Sequence, residues 1–420
     1  MNLIFGRRIS GLPDQELLRE IYRNIRKTLE GPPLDTEIVI SACVQLCQRL
    51  EQPESMASLL RMGVSEEDLS RHLVRVQKQL SREQLTSRLK RELGTEQGAH
   101  TRAEWLPLGT LLCITSGNAY GLAAYCVLEG LLTGNITMLK LPGEGDEVSL
   151  LLLEWLMEAE PELAEYIYVL GFHSTDIKLL LTFARMADAV VVWGSDEAVK
   201  AVRSLAAPNI RLIEWGHKMG FAYIEPGGVT DGELQELALH MCRTRQLSCT
   251  SCQGIYLDSD DVQLVQRFAL NFLDILAAVS GEALRAALSH EQKAQLALKL
   301  RSREIEAALH PEQGHLYRRG QVSVRADSSK GLESSDFFGN CWVKPLPKNQ
   351  ILRVLKPYKS YLQAAALYCR PEHRVQYENR LFQAGVGRIT TARKLDGIDF
   401  SLPHDGEYSL RKYSRMVLRH

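Results

Sequence analysis

Little in these 420 residues is lopsided, and each missing excess removes a class of protein. The formal charge is -1, from 50 Lys+Arg against 51 Asp+Glu, so there is no global positive field to hold the phosphates of DNA or RNA. Nucleic acid is disfavoured as the main partner. No run approaches the roughly 18 uncharged apolar residues of a membrane span. The nearest, Val148 to Met157, is short and carries Glu154. The first fifteen residues lack the apolar stretch of a secretory signal, and nine cysteines scattered behind them read as reduced thiols and not as a disulfide framework. The expected location is the cytoplasm. There is no G-x-G-x-x-G fingerprint, no internal repeat, and no second Cys or His pair at zinc-ligand spacing.

What is present is ordinary globular material, 45% hydrophobic and 24% charged, in a chain long enough for two or three domains. Residues 13 to about 104 have Leu, Ile and Val at helical spacing, with Pro32, Pro33 and Pro53 separating the helices. From Trp105 short apolar runs alternate with helical segments. Strands are expected at Leu111 to Thr115, Ile136 to Leu139, Tyr166 to Leu170, Ala189 to Trp193 and Ile210 to Ile213. Strands apolar throughout and separated by helices predict a parallel sheet covered on both faces, which binds ligands at the carboxyl ends of its strands. The boundaries read as a helical segment 1–104, an α/β domain 105–228, a second α/β domain 229–394 and a tail 395–420. In the second domain the expected strands are Gly254 to Leu257, Trp342 to Pro345, Ala364 to Tyr368 and Val386 to Thr390, with long helices between 262 and 310.

Five places carry chemistry. Arg245 to Gly254 holds Cys249 and Cys252 in a small polar loop between helix and strand, where rigid elements can present a nucleophile. A zinc half-site or a dithiol pair fits less well than a single nucleophile with an incidental neighbour. Gly194-Ser195 follows a buried strand and starts a helix, which gathers backbone N–H groups at one point and suits a phosphate. Ser116-Gly117-Asn118 follows the first strand, Lys140 ends the second and Glu214 ends the fifth, all on the ligand-binding edge. His404-Asp405 reads equally well as a catalytic pair and as a structural turn that closes the tail, and His173 reads as loop polarity near the cofactor groove.

These sites, in this order, resemble the aldehyde dehydrogenase superfamily, and in detail its branch of acyl-CoA or fatty acid reductases known from bacterial luminescence operons. The segments carrying the closer resemblance start at Ser116, Leu131, Cys249, Tyr361, Gly385 and Pro403 and span residues 105 to 414. The resemblance implies an aldehyde dehydrogenase-like fold, with a Rossmann-type cofactor domain at 105–228 and the catalytic domain at 229–394. The helical segment then packs on the cofactor domain, and the tail closes near the site or an oligomer interface. It also implies roles: Cys249 as nucleophile, Asn118 in the oxyanion hole, Glu214 as general base, Lys140 at the adenosine ribose, and Gly194 with Ser195 at the pyrophosphate. Ser116 joins the cofactor-binding set, and Asp336-Phe-Phe-Gly339 loosely resembles the family's Glu-x-Phe-Gly at the nicotinamide ribose. No metal is implied.

The implied reaction is NADPH-dependent reduction of a fatty acyl thioester, delivered by CoA or by an acylated partner protein, to an aldehyde, in a homo-oligomer. Two departures bear on it. Glu214 is present although acylating members often lack that acid. Gly143 stands where many NAD-using relatives place an acid three residues after the lysine, which leaves Lys140 unopposed and favours NADP(H). The alternatives are NAD(P)-dependent aldehyde oxidation with Glu214 as base, and a non-catalytic Cys-x-x-Cys metal or redox scaffold for an acyl-activating partner.

Overall fold

The computed structural model describes residues 1–419 except 63, 65, 98–101, 118–120, 143–145, 206, 282–283, 285–287, 289 and 396–401. The chain forms two compact units, Met1–Gly216 with Asp399–His420, and His217–Ile398. The first division therefore falls ahead of the Val229 boundary drawn from sequence, and the C-terminal segment belongs to the first unit.

The first unit opens with a hairpin, β1 (Asn2–Ile4) and β2 (Arg7–Ile9), turned through Phe5 and Gly6 at φ 53° and 70°. Positive φ at both turn residues matches the twist of a two-residue hairpin. The sequence reading placed only helix in this segment. Five helices follow, Gln15–Glu30, Thr36–Leu50, Pro53–Arg61, Glu66–Gln79 and Arg82–Leu93. Asp14, Asp35 and Ser81 cap three of them through side-chain oxygens, and Pro53 sits in the first turn of the third.

Short strands β3 (Glu96–Gln97) and β4 (Arg102–Pro107) pair in a small antiparallel sheet with the C-terminal strand Ser414–Arg419. The main sheet adds β5 (Thr110–Ile114), β6 (Ile136–Lys140), β7 (Ile167–Leu170), β8 (Ala189–Trp193) and β9 (Arg211–Trp215). Its order is β2-β1-β7-β6-β5-β8-β9, with β7 to β9 all parallel. β6, β7 and β8 are buried along their whole length, as strands covered on both faces must be. The chain runs outward from β5 to one side and then returns to the other, so the topological switch point lies between β5 and β8.

The C-terminal segment is bound to this unit through a buried ion cluster. Arg88 meets Glu92 at 2.8 Å and Glu129 at 2.5 Å, while Ser409 donates to Glu129 and the Leu410 N–H donates to Glu92 at 3.0 Å. Such a cluster is costly to break, because either charge left alone would be buried without compensation.

The second unit is built on β10 (Met219–Ile224), β11 (Cys252–Leu257), β12 (Gly314–Arg319), β13 (Val322–Asp327), β14 (Asn340–Pro345), β15 (Leu362–Tyr368) and β16 (Arg388–Thr390). Their order is β12-β13-β14-β11-β10-β15-β16, parallel except for β12, which forms a hairpin with β13 through Gly320 at φ 56°. The sequence reading missed β10, β12 and β13. One face of the sheet packs Leu237, Phe272 and Leu276, the other Phe221, Tyr256, Trp342 and Tyr377. Helix Val262–Val279 is long and apolar enough to cross a membrane by length and composition. Its stripe Val265, Ala269, Phe272 and Leu276 lies in this core, and it carries Arg267 and Asp274. The described architecture is mixed α/β with parallel sheets, the class the sequence led to.

Candidate active site

The first unit brings five of the expected residues to one edge. Ser116 follows β5, Lys140 ends β6, Gly194 and Ser195 follow β8, and Glu214 lies in the last turn of the pleat of β9. Ser116 and the Gly194-Ser195 turn thus flank the switch point. Ser195 accepts from the Ala198 N–H at 3.4 Å and caps helix Asp196–Leu205. Gly194 donates its N–H to the Trp215 carbonyl at 3.2 Å, and a Cβ there would lie 3.0 Å from that of Ala198. Asn118 and Gly143 lie outside the described residues.

Lys140 is 3% exposed, yet its ammonium meets only the neutral Ser174 hydroxyl, at 2.7 Å, and no carboxylate among the described residues. Burial alone holds it below the ordinary lysine range. The Thr115 hydroxyl and the Trp193 indole nitrogen, at the ends of β5 and β8, are buried and without a partner among the described residues. A buried cation with no counter-ion among the described residues, at the same sheet edge as unsatisfied polar atoms, suits an anionic ligand.

Glu214 is otherwise engaged. Arg203 holds it in a fork, Nε to Oε1 at 2.9 Å and Nη2 to Oε2 at 2.5 Å. Both carboxylate oxygens are thus occupied by one guanidinium. His404, from the C-terminal segment, packs its ring on Trp193 and Trp215 at centroid distances of 5.2 and 5.0 Å, with Asp405 3.9 Å from its Nε2. His173 only closes a local turn with Thr175.

The second unit separates the two cysteines of the motif. Cys252 is fully buried in β11, within the apolar core, whereas Cys249 is half-buried in the loop before the strand. Burial pushes the other three half-buried thiols up, Cys47 and Cys242 to about 11 and Cys369 above its usual value. The loop lies hard against β10: a Cβ on Gly220 would sit 2.7 Å from the Thr250 carbonyl oxygen. Ser248 and Ser251 hold its tip, hydroxyl to hydroxyl at 2.6 Å, and the Cys252 N–H donates to His240 Nε2 at 3.2 Å. Among the described residues no group of three His, Cys, Asp or Glu is placed to hold a metal ion.

Asp336 is held by Lys299 at 3.0 Å and Arg303 at 3.5 Å, both from helix His290–Leu309. It begins a turn in which Phe337, Phe338 and Gly339 all have left-handed φ, 60°, 50° and 77°. This turn leads into β14, next to β11, so it shares the amino-terminal edge of the sheet with the Cys249 loop. Two glutamines that the motif reading passed over join them. Gln246 donates to the carbonyls of Cys252 at 3.2 Å and Gln253 at 3.4 Å, and accepts the Gly339 N–H at 3.0 Å. Gln253 accepts the Ser335 N–H at 3.1 Å and its hydroxyl at 2.8 Å, and donates to the Gln246 carbonyl at 2.9 Å. His217 reaches Ser334, beside the same turn, at 3.4 Å.

The comparisons with known proteins bear on the family and on the fold. The chain is 23% identical over 341 residues to a long-chain acyl-protein thioester reductase of Aliivibrio fischeri, covering 76% of this chain and 67% of that one. It superimposes on a putative methylmalonate-semialdehyde dehydrogenase from Sinorhizobium meliloti, complexed with NAD, with TM-score 0.73 and 15% identity, covering 100% and 97% of the two chains. It also superimposes on the glyceraldehyde-3-phosphate dehydrogenase GapN from Methanocaldococcus jannaschii, complexed with NADP, with TM-score 0.68 and 11% identity, covering 100% and 98%. These neighbours give the aldehyde dehydrogenase fold. The profile described as acyl-CoA reductase (LuxC) matches residues 33–416, nearly the whole chain, and the protein belongs to that family.

Proposed function

We propose that the protein reduces a fatty acyl thioester to an aldehyde with NADPH, through an acyl group carried covalently on Cys249. The observation that carries the reading is the split of the Cys-x-x-Cys pair, one sulfur sealed in the core and one at the edge of a braced loop. The family membership and the relative named as a thioester reductase support the reaction class. Donors of the right chemistry are acyl-CoA and an acylated partner protein, in the reducing cytoplasm where a free thiol persists.

The Cys249 thiolate attacks the acyl carbon and forms a new C–S bond. The donor C–S bond breaks, and the donor thiol leaves with a proton. We assign the developing oxyanion to the Asn118 amide and the Cys249 N–H. Lys140, Ser116 and the Gly194-Ser195 turn are assigned to the cofactor, whose reduced nicotinamide supplies the hydride when bound. Hydride on the acyl carbon makes the alkoxide of a Cys249 thiohemiacetal. Its C–S bond then breaks, the carbonyl re-forms, aldehyde leaves and the thiolate returns. Holding the acyl group on the protein keeps the acceptor carbon in place for the transfer. No water needs activating in this cycle, which agrees with the commitment of Glu214 to Arg203.

A single-turnover experiment tests this. Mixing the protein with a long-chain acyl-CoA is expected to release one free CoA thiol per Cys249 before NADPH is added, and aldehyde only afterwards. Absence of the thiol burst contradicts the covalent route. The reverse incubation, aldehyde with NADP and with or without CoA, distinguishes oxidation: free acid formed without CoA would restore Glu214 as a base.

A further inference from the structure

The loop 245–251 and the turn 335–339 both hold backbone that L side chains rarely adopt. Arg245 and Gln246 have φ of 50° and 60°, facing Phe337 and Phe338 at 60° and 50°. Such conformations persist only where the surroundings over-determine them, and they gather at working sites. Here the surroundings are the amides of Gln246 and Gln253, which are 1% and 3% exposed. A primary amide donates and accepts at once, so each behaves as an additional peptide unit inserted between the two loops. The Phe338 N–H completes the lattice by donating to the Arg245 carbonyl at 3.1 Å. The lattice also extends to the loop tip, since Gln253 donates to the Ser251 carbonyl at 3.4 Å.

On the far side the turn is fixed as well. Asn340 donates to the carbonyls of Phe337 at 2.7 Å and Phe338 at 3.2 Å, and Ser323 holds Asn340 at 2.7 Å. Gly339 has no room for a side chain, since a Cβ would sit 2.8 Å from Val322 and 2.9 Å from Leu284. The turn is therefore an anchor set in the sheet, and the loop hangs from it by two amides.

We propose that Gln246 and Gln253 are positioning residues that lock the Cys249 loop to the Ser335–Gly339 turn, so that the thiol is aimed by contacts made far away in sequence. This rests on the reading of Cys249 as the nucleophile. A neutral amide suits the task because it keeps both donors and acceptor at every working pH, beside a group that must itself change charge. Replacement by an apolar side chain would leave the Ser335 N–H and the Gly339 N–H without the acceptors they use, and the loop would move to satisfy them.

The test uses the full-length protein with iodoacetamide as probe, reading alkylation of the Cys249 peptide across pH, followed by acylation from a long-chain acyl-CoA. Ser335→Ala removes one hydroxyl from Gln253 and the acceptor of the Phe337 N–H within the turn, at 3.1 Å, and touches nothing in the loop itself. It is expected to shift the pH profile of Cys249 alkylation and to slow acylation about tenfold, short of the roughly hundredfold that a 1 Å misplacement costs. Gln253→Ala is expected to approach that larger loss. Thermal melting certifies that each variant is folded, and where Gln253→Ala is not, Ser335→Ala decides. Rates and pH profile within twofold of the parent in the folded variants overturn the inference. Alkylation needs no acyl donor, so the brace is judged even if the parent is never acylated, a result that would instead sink the proposed reaction.

Discussion

The residues proposed for function stand at the carboxyl ends of strands in one sheet and at the amino-terminal end of a strand in the other, and are held by different means. In the first unit Ser116, Lys140, Gly194 and Ser195 stand at the carboxyl ends of parallel strands, where the order β7-β6-β5-β8-β9 itself opens a crevice. In the second, Cys249 stands before its strand, in a loop with left-handed backbone that needs Gln246 and Gln253 to hold it. One site follows from topology and the other from side-chain hydrogen bonds. A topological site tolerates surface substitution nearby; a laced one is sensitive to a single buried amide.

The sharpest way to break the comparison is Cys249→Ala. Reduction of acyl-CoA is expected to fall by about 10³-fold or more, while NADPH binding, proposed above for the first unit, is expected to stay at the parental level. Retained turnover, with loss in Cys252→Ala instead, would reverse the roles of the two sulfurs. Next in size is Lys140→Met. Loss of one charge-assisted contact is worth about 1.5–3 kcal/mol, so the NADPH KM is expected to rise roughly tenfold to a hundredfold, with Cys249 alkylation unchanged.

The same variant carries a stability signature. Burial lowers the Lys140 value in the folded chain, so the unfolded state binds more protons and the charged lysine costs stability below its folded value. Lys140→Met is therefore expected to melt higher than the parent at neutral pH without cofactor, the difference vanishing as pH rises past the ordinary lysine value of about 10.4. A smaller effect is expected for Cys252→Ala, a loss of about 1 kcal/mol in denaturant unfolding from its fully buried site, with turnover retained. The smallest is Glu214→Gln: a rate within about threefold of the parent and an unchanged melting temperature, since a solvent-screened surface ion pair contributes little. A large fall in kcat with intact stability would make Glu214 a base.

The same contrast governs what the sequence disclosed. The strands of the first sheet are legible because runs such as Ala189–Trp193 must be apolar on both faces, and Gly194-Ser195 marks the turn that follows. β12 escaped because an edge strand admits His315, Arg318 and Arg319, and β13 because Ser323 and Arg325 interrupt a short, mostly buried run. β10 escaped because Met219–Ile224 is a lone apolar run with Gly220 inside it, a glycine required by the approach of the Thr250 carbonyl.

At the site, spacing identified the Cys249 loop, but which sulfur faces out depends on where β11 begins. The Arg203 partner of Glu214 and the Lys299 and Arg303 partners of Asp336 come from neighbouring helices, and no local pattern announces them. Gln246 and Gln253 flank the two cysteines in plain view. Their meaning appears only when Gly339 and Ser335, 93 and 82 positions on respectively, fold against them.

The most direct measurement of the central claim is mass spectrometry of the protein after mixing with acyl-CoA donors of several chain lengths, before any reductant is added. The account predicts one acyl thioester adduct, located on the peptide containing Cys249, and lost on addition of NADPH as aldehyde forms. An adduct on Cys252 or another cysteine, or aldehyde formed from NADPH and acyl-CoA with no adduct at any time, would contradict it.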